Sequence, residues 1–382
     1  MHHIDQAVLN FNQAGFAALN VILGLHRRRH VAGVVLLAAA PAPHPGGDTV
    51  STHEGPDARR VLITGASGSV GRRLVEAMAQ RMGEQARGAD GPTLGFVLAT
   101  DIRDVNPSSR LPGIEYHTLD VCGPELAAAL RGHRIDTVVH LAAIVTPRPG
   151  DTREHQYAVD VVGTANVVAA CLEAGVRRFV YTSSGAAYGY HGDNAALLDE
   201  GAPLRGNDAF AYAAHKRIVE EQLADVRREH PELAQLVLRV STVLGPAVHN
   251  QITALFERPV VVGIAGVDSP FCFVSQEDVA DCLLHGVLGD RAGIYNLTGD
   301  GVMTLREIAH AMGRPYVPVP EALLHGALDL LHKAGVAATG GEQLLFLRHR
   351  PVLSNERLKR ELGYVPRQTS REVFETYRQR RA

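Results

Sequence analysis

The sequence predicts a doubly wound α/β fold, a parallel sheet with helices on both faces, completed by a smaller C-terminal lobe. Three observations predict it. The apolar run VLITG (residues 61–65) leads into the glycine-rich stretch TGASGSVG and then into RRLVEAMAQRM, where Leu74, Ala77 and Met78 recur at helical spacing. From Arg60 onward, apolar runs of strand length alternate with helix-like segments, the order of a parallel sheet covered on both sides. The strand-like runs end in small or polar residues that face one crevice, the place where ligands bind in such sheets.

The first strand and its turn are the most informative. Gly65 permits the tight turn, Gly68 lets the main chain approach a pyrophosphate, and Gly71 lets the helix pack close to the strand. The N-terminus of that helix then faces the phosphates. Strand, glycine turn and helix in this order read as a Rossmann-type dinucleotide site. The second strand, FVLATD, ends at Asp101, whose carboxylate can accept hydrogen bonds from both hydroxyls of an adenosine ribose. That favours NAD over NADP, because a 2′-phosphate would be repelled there by about 1 to 4 kcal/mol per unit charge. Arg103 softens the preference, and a solvated strand-end aspartate is the plainer alternative. EYHTLDV reads as the third strand with Asp120 at its end, DTVVHLAA (residues 136–143) as the fourth, and RFVYTSS as the fifth, ending in Ser184. Helical segments GPELAAALRG and VVGTANVVAACLEAG separate them.

The next helix carries candidate chemistry. In AFAYAAHKRIVEEQLADV, Tyr212 and Lys216 are four residues apart and share one helix face. A phenol with a pKa near 10 is a poor base at neutral pH, and an adjacent ammonium is expected to lower that value. Ser184, twenty-eight residues earlier at a strand end, can hydrogen-bond a substrate oxygen while Tyr212 takes its proton. A tyrosine and a lysine one turn apart are common on helix surfaces. The serine and the phosphate turn are what make the pair specific.

Composition bounds the rest. With 46% hydrophobic and 21% charged residues, the 382-residue chain can bury a sizeable core. A formal net charge of -3 offers no basic footprint, so no nucleic-acid partner is expected. Cys122, Cys171, Cys272 and Cys282 form no CxxC pair, which reads as free thiols in a cytoplasmic protein. His140, His191 and His249 lack partners at ligand spacing, and no metal site is expected. The organisation expected is an extension over 1–59, a nucleotide-binding domain over 60–250, and a lobe over 251–382 joined by 190–208, with residues around 271–300 returning to the core. In the extension, Ile4, Val8, Phe11, Ala18 and Ile22 suggest an amphipathic helix, and Arg27, Arg28 and Arg29 precede the apolar run VAGVVLLAAA. That run is too short to span a bilayer, so neither a membrane span nor export is expected. In the lobe, Leu323, Leu324, Leu328, Leu330 and Leu331 read as core packing, with a greasy substrate channel as the alternative.

The chain resembles the extended short-chain dehydrogenase/reductase family, in particular its NAD-dependent epimerase/dehydratase group with the UDP-glucose 4-epimerases. The likeness covers roughly residues 60 to 370. It rests on TGASGSVG, Asp101, LDV, HLAA, VGTANV, TSSGAAYG, YAAHK, LRVSTVLGP, FVSQEDVA, GIYNLTG and RELGYVP, in that order. It implies catalysis by Ser184, Tyr212 and Lys216. The cofactor set it implies is Gly65, Ser67, Gly68, Ser69, Val70 and Gly71 of the turn, Asp101 and Ile102, Asp120 and Val121 beside the adenine, Leu141, Ala142 and Ala143 along the cofactor path, and Tyr212 with Lys216 at the nicotinamide ribose. A homodimer is the family's frequent state.

The departures bear on substrate. Ser184, Gly185 and Ala186 stand where dehydratases of the group carry Thr-Asp-Glu, so dehydration is not expected. Thr242 replaces a frequent asparagine, and Phe271 stands near the place of a diphosphate-binding arginine. Asp160 replaces another asparagine, and Ser275 and Gln276 replace a His-Val pair. The leading expectation is hydride transfer at a secondary alcohol or ketone carbon of a nucleotide sugar or related polar alcohol. The competing ones are a net ketone reductase or alcohol dehydrogenase for a steroid-like or isoprenoid substrate, and a non-catalytic NAD sensor.

Overall fold

The computed structural model describes residues 58–148, 150–248, 250–334 and 341–380. Nearly all of the expected N-terminal extension, with its helix and its apolar run, lies outside these residues, as does His249.

Seven parallel strands form the central sheet: β1 (Arg59–Thr64), β2 (Leu94–Asp101), β3 (Glu115–Thr118), β4 (Thr137–His140), β5 (Arg178–Ser184), β6 (Ala234–Val240) and, after four short lobe strands, β11 (Gly293–Leu297). Their order across the sheet is β11-β6-β5-β4-β1-β2-β3. Chain order therefore reverses between β1 and β4, which opens a crevice at the carboxyl ends of those two strands. The main helices are α1 (Ser69–Ala86), α2 (Glu125–Gly132), α3 (Arg153–Ala174), α4 (Ala211–Glu229), α5 (Gln251–Phe256), α6 (Gln276–Leu288), α7 (Leu305–Ala311), α8 (Glu321–Lys333), α9 (Leu344–Arg348) and α10 (Ser370–Gln379).

The near-continuous apolar strands follow from coverage on both faces. Val61, Ile63, Val97, Ala99, Val139 and Val180 enter one core with Leu74 and Met78 of α1 and Val279 and Leu283 of α6. The alternating residues Leu62, Leu98, Val138, Phe179 and Tyr181 enter a second core with α2, α3 and α4. Helix α3 has the length and apolarity of a membrane span, 22 residues at mean hydropathy 1.3, yet its Val161, Val167, Val168 and Cys171 are buried in that second core.

The lobe is assembled from short pieces. β7 (Thr242–Leu244) pairs in parallel with β10 (Phe273–Ser275), β8 (Val261–Ile264) in parallel with β13 (Tyr316–Val319), and β9 (Pro270–Phe271) antiparallel with β12 (Met303–Thr304). They enclose a third core around Phe256, Phe271, Phe273, Phe374 and Tyr377. Leu324 and Leu328 of α8 join it, as the packing reading expects, but Leu323 and Leu330 are exposed at 65% and 69%. The leucine stripe is narrower than the sequence suggests because only the face one turn apart meets the core.

Candidate active site

At the end of β1 the chain turns at Gly65 with φ +69°, where a Cβ would lie 2.7 Å from the Ala142 nitrogen and 2.9 Å from the Leu141 carbonyl carbon. No side chain fits there. At Gly71 a Cβ would meet the Gly65 oxygen at 2.3 Å, so the helix can approach the strand only with glycine. Gly68 is the N-cap of α1 and has no side chain to cap it, which leaves the first-turn N–H groups, Ser69 and Val70 among them, for another acceptor. Leu141 and Ala142 stay against this turn because their N–H groups donate to Thr64 Oγ1 at 3.2 and 3.3 Å. Gln276, at the start of α6, donates to the Ser69 carbonyl, while Ser275 caps the same helix through the Asp278 N–H at 2.9 Å. Of the two residues that departed from the His-Val pair, Gln276 thus fixes α6 against the turn and Ser275 caps that helix.

Asp101 sits at the end of β2, and its carboxylate accepts from Ser67 N at 3.0 Å and from Arg103 N and Nε, both at 3.1 Å. Three of its roughly four acceptor positions are filled from within the chain. Ile102 beside it is 63% exposed. The β3 end reaches the same place: Leu119 N donates to the Asp101 carbonyl at 3.0 Å, Asp120 Oδ1 accepts from Cys122 N at 2.9 Å, and Val121 is buried beneath. Ala143 is half-buried just beyond β4. The close-approach turn, the uncapped helix end and the ribose-side carboxylate fit a dinucleotide.

Under the crevice His140 bridges two threonines, Thr64 Oγ1 at 2.7 Å and Thr164 Oγ1 at 2.8 Å. Burial, with the Lys216 charge, pulls its pKa down to about 3, so the ring is a neutral hydrogen-bonding strut. It is not isolated, as the sequence suggests. Nor is His191, whose Nε2 lies 2.7 Å from the Arg205 carbonyl oxygen.

Ser184, the last residue of β5, and Tyr212, in the first turn of α4, are brought close enough for the serine hydroxyl to act on the phenol. Lys216 lies one turn further, with Nζ 5.6 Å from the centre of the Tyr212 ring. Its ammonium donates to Tyr181 Oη at 3.0 Å and to the Thr182 carbonyl at 2.8 Å, not to Tyr212. The expected lowering of the phenol is therefore corrected: burial dominates and pushes Tyr212 up, against the opposing pull of the Ser184 hydroxyl. The same burial lowers the Lys216 ammonium to about 8, while Asp160 and Glu220 hold it up.

Two neighbours complete the surroundings: Asp160, which the sequence marks only as a replaced asparagine, and Glu220, which it does not mark. Asp160 lies in a π-helical turn of α3 (Ala158–Gly163) and accepts from Ile144 N at 2.8 Å, and its other oxygen is 3.0 Å from His215 Nδ1. Further along α4, Glu220 pairs with Arg239, whose Nη2 donates to Oε2 at 2.8 Å and whose Nη1 donates to Tyr188 Oη at 2.9 Å. This pair ties α4 to β6 directly below the lysine. Tyr190 packs edge-on against Phe210 and Phe346, at 5.1 and 5.2 Å between ring centres. The Arg350 guanidinium lies over Phe271 and reaches Thr242 Oγ1 at 3.1 Å, so one arginine touches both lobe positions that depart from the family pattern. Elsewhere, near the start of β3, Glu115, His117 and His133 bring donor atoms within 4.8 Å of one another, a proximity that spacing does not reveal.

Comparison with known proteins agrees with this geometry. An uncharacterized protein of Mycobacterium tuberculosis is 29% identical over 324 residues, 83% of this chain and 82% of the relative. A 3-beta-hydroxysteroid dehydrogenase of Mycolicibacterium neoaurum is 28% identical over 356 residues, 83% of this chain and 90% of that one. Among solved structures, UDP-glucose 4-epimerase of Thermotoga maritima with UDP-glucose superposes with TM-score 0.63 at 18% identity, covering 84% of this chain and 98% of that one. The Thermus thermophilus enzyme with NAD gives 0.62 at 24% identity over the same shares. These likenesses concern the fold. The family description "NAD dependent epimerase/dehydratase family" matches residues 61–288, more than half of the chain, and the chain belongs to that family.

Proposed function

We propose that the protein is an NAD-dependent oxidoreductase or epimerase that transfers hydride at a secondary alcohol or ketone carbon of a nucleotide sugar or a related polar alcohol. The observation that carries the reading is the Ser184–Tyr212 hydroxyl pair with Lys216 one turn away, at the carboxyl end of the sheet beside the glycine turn. Bound NAD would supply the hydride acceptor, held by the 65–71 turn, Asp101 and the Leu141–Ala142 backbone. Ser184 holds the substrate oxygen by donating to it. Tyr212 exchanges the proton of that oxygen: its raised pKa keeps it protonated, the form that reduction uses, and requires proton loss before oxidation. Lys216, with a proton affinity near neutrality, supplies the nearby positive charge that favours that loss. NADP is the weaker candidate, because Asp101 stands where its 2′-phosphate would lie. A homodimer and a cytoplasmic location accompany the reading.

The similarity to a 3-beta-hydroxysteroid dehydrogenase supports a second reading, net oxidation of a hydrophobic alcohol. Incubating the protein with NAD and a panel of sugar nucleotides and hydrophobic alcohols, following NADH and product stereochemistry, separates the two. Epimerised sugar nucleotide without net NADH supports the first reading. NADH accumulating only with hydrophobic alcohols replaces it by the second, and turnover of neither class leaves the sensor.

A further inference from the structure

We propose that Glu115, His117 and His133 form a binding site for a divalent transition-metal ion of the zinc class, toward the amino ends of the strands and away from the crevice. Glu115 opens β3 and His117 follows two residues later, so both side chains leave the same face of this edge strand. His133 is the C-cap of α2, and the left-handed backbone of Arg134, at φ +48°, ends the helix just beyond it. Both histidine Nε2 atoms converge on one carboxylate oxygen: Glu115 Oε1 lies 2.8 Å from that of His117 and 3.8 Å from that of His133. The three donor atoms all lie within 4.8 Å of one another. The sequence predicts no metal site because its histidines lack ligand spacing; these three groups meet only once strand and helix pack together.

Ligand atoms about 2.1 Å from a tetrahedral zinc ion stand about 3.4 Å apart, and the two carboxylate–imidazole separations straddle that value. Two imidazoles and one carboxylate suit zinc, nickel or copper, whereas magnesium and calcium take oxygen donors. The His133 imidazole is held in place. It stacks on Phe96 at 5.2 Å with 10° between the planes, and Arg60, which lies over the Phe96 ring at 4.7 Å, donates from Nε to the His133 carbonyl at 2.8 Å. His117 meets His133 edge-on, also at 5.2 Å. The side chains of Glu115 and His117 are 39% exposed and that of His133 26%, so an ion can enter and water can complete its coordination. Elsewhere among the described residues, His155, His230 and His325 each meet a single carboxylate, of Asp151, Glu232 and Asp329. One imidazole proton satisfies such a pair. A second Nε2 aimed at the same oxygen adds a donor that the pair does not need and a metal ion would use. A bound cation also suits the C-terminal end of a helix, and it would clasp the four-residue strand β3, paired only with β2, to the end of α2.

The test is calorimetric titration of the full chain with zinc chloride, and with magnesium chloride as the oxygen-preferring control, on wild type, Glu115→Gln, His117→Ala and His133→Ala. The chain carries 19 histidines, so the variants decide the matter and not zinc uptake alone. The expected result is zinc binding by wild type that weakens at least about 10-fold in each variant, since losing a ligand costs no less than losing its outer support. Magnesium should bind far more weakly than zinc. Thermal unfolding gives a second readout: zinc should raise the Tm of wild type, because it binds the folded chain, and leave that of His117→Ala where it is. Unfolding in the presence of a chelator reports whether each variant folds, and the exposed His117 keeps the test decisive should His133→Ala fail to fold. No zinc binding by wild type, equal zinc affinity in wild type and His117→Ala, or magnesium binding as tight as zinc overturns the proposal.

Discussion

Buried charge is treated in opposite ways around Tyr212 and in the C-terminal lobe. Around Tyr212 and Lys216, Arg239, Glu220, Ser183 and Tyr188 close on one another, and His140 spends both ring nitrogens on threonines. In the lobe, Arg350 is buried between aromatic rings with Nε and Nη1 unpaired. The difference teaches which charges act as scaffold: polar groups completed within the chain hold helices and strands in place, whereas the Arg350 cation is held by ring faces and a single hydroxyl. Asp101 is intermediate, with three donors from its own chain and capacity for one more.

Glu220→Ala should break the contrast most severely. It turns Arg239 into a second uncompensated buried cation, and urea unfolding should show a loss of about 3 to 5 kcal/mol. A loss below about 1 kcal/mol would mean that the pair is not what fixes α4.

Next in size is a pH effect at Lys216. Burial lowers its ammonium to about 8, whereas an unfolded lysine titrates near 10.4. Between those values the unfolded chain binds a proton that the folded chain does not, so this group's contribution to stability rises with pH across that window, by up to about 3 kcal/mol. Comparing unfolding of wild type and Lys216→Met at the two ends of the window isolates it. A difference that stays constant with pH would show that the lysine is not desolvated.

Asp101→Asn gives the smallest effect. Removing the carboxylate charge frees Arg103 and should move the NADP-to-NAD affinity ratio about tenfold toward NADP, read by fluorescence titration with each nucleotide. An unchanged ratio would leave Asp101 as the solvated strand end that the sequence alone also allowed.

How legible each part was follows from how the chain assembles it. The glycine turn lies within one strand-turn-helix unit, and Tyr212 and Lys216 share a helix face, so spacing alone exposes them. The strand run ending in Ser184 is equally plain, because strands covered on both faces are continuously apolar. The Arg350 contact joins residues separated by 108 positions, at Thr242 and Arg350, and no local pattern records that meeting. The Asp160–His215 contact spans 55 positions and depends on a π turn inside a helix that reads as regular. The raised Tyr212 phenol was missed for a related reason: the lysine neighbour is visible in the sequence, but the burial that outweighs it comes from several distant segments.

The central claim is that Tyr212 carries the proton in the redox step. Turnover of whichever panel compound is accepted, compared between wild type and Tyr212→Phe with NAD affinity measured in parallel, tests it most directly. The account predicts a fall in kcat of about 10²- to 10⁴-fold with NAD still bound. Equal turnover by the two proteins would contradict it.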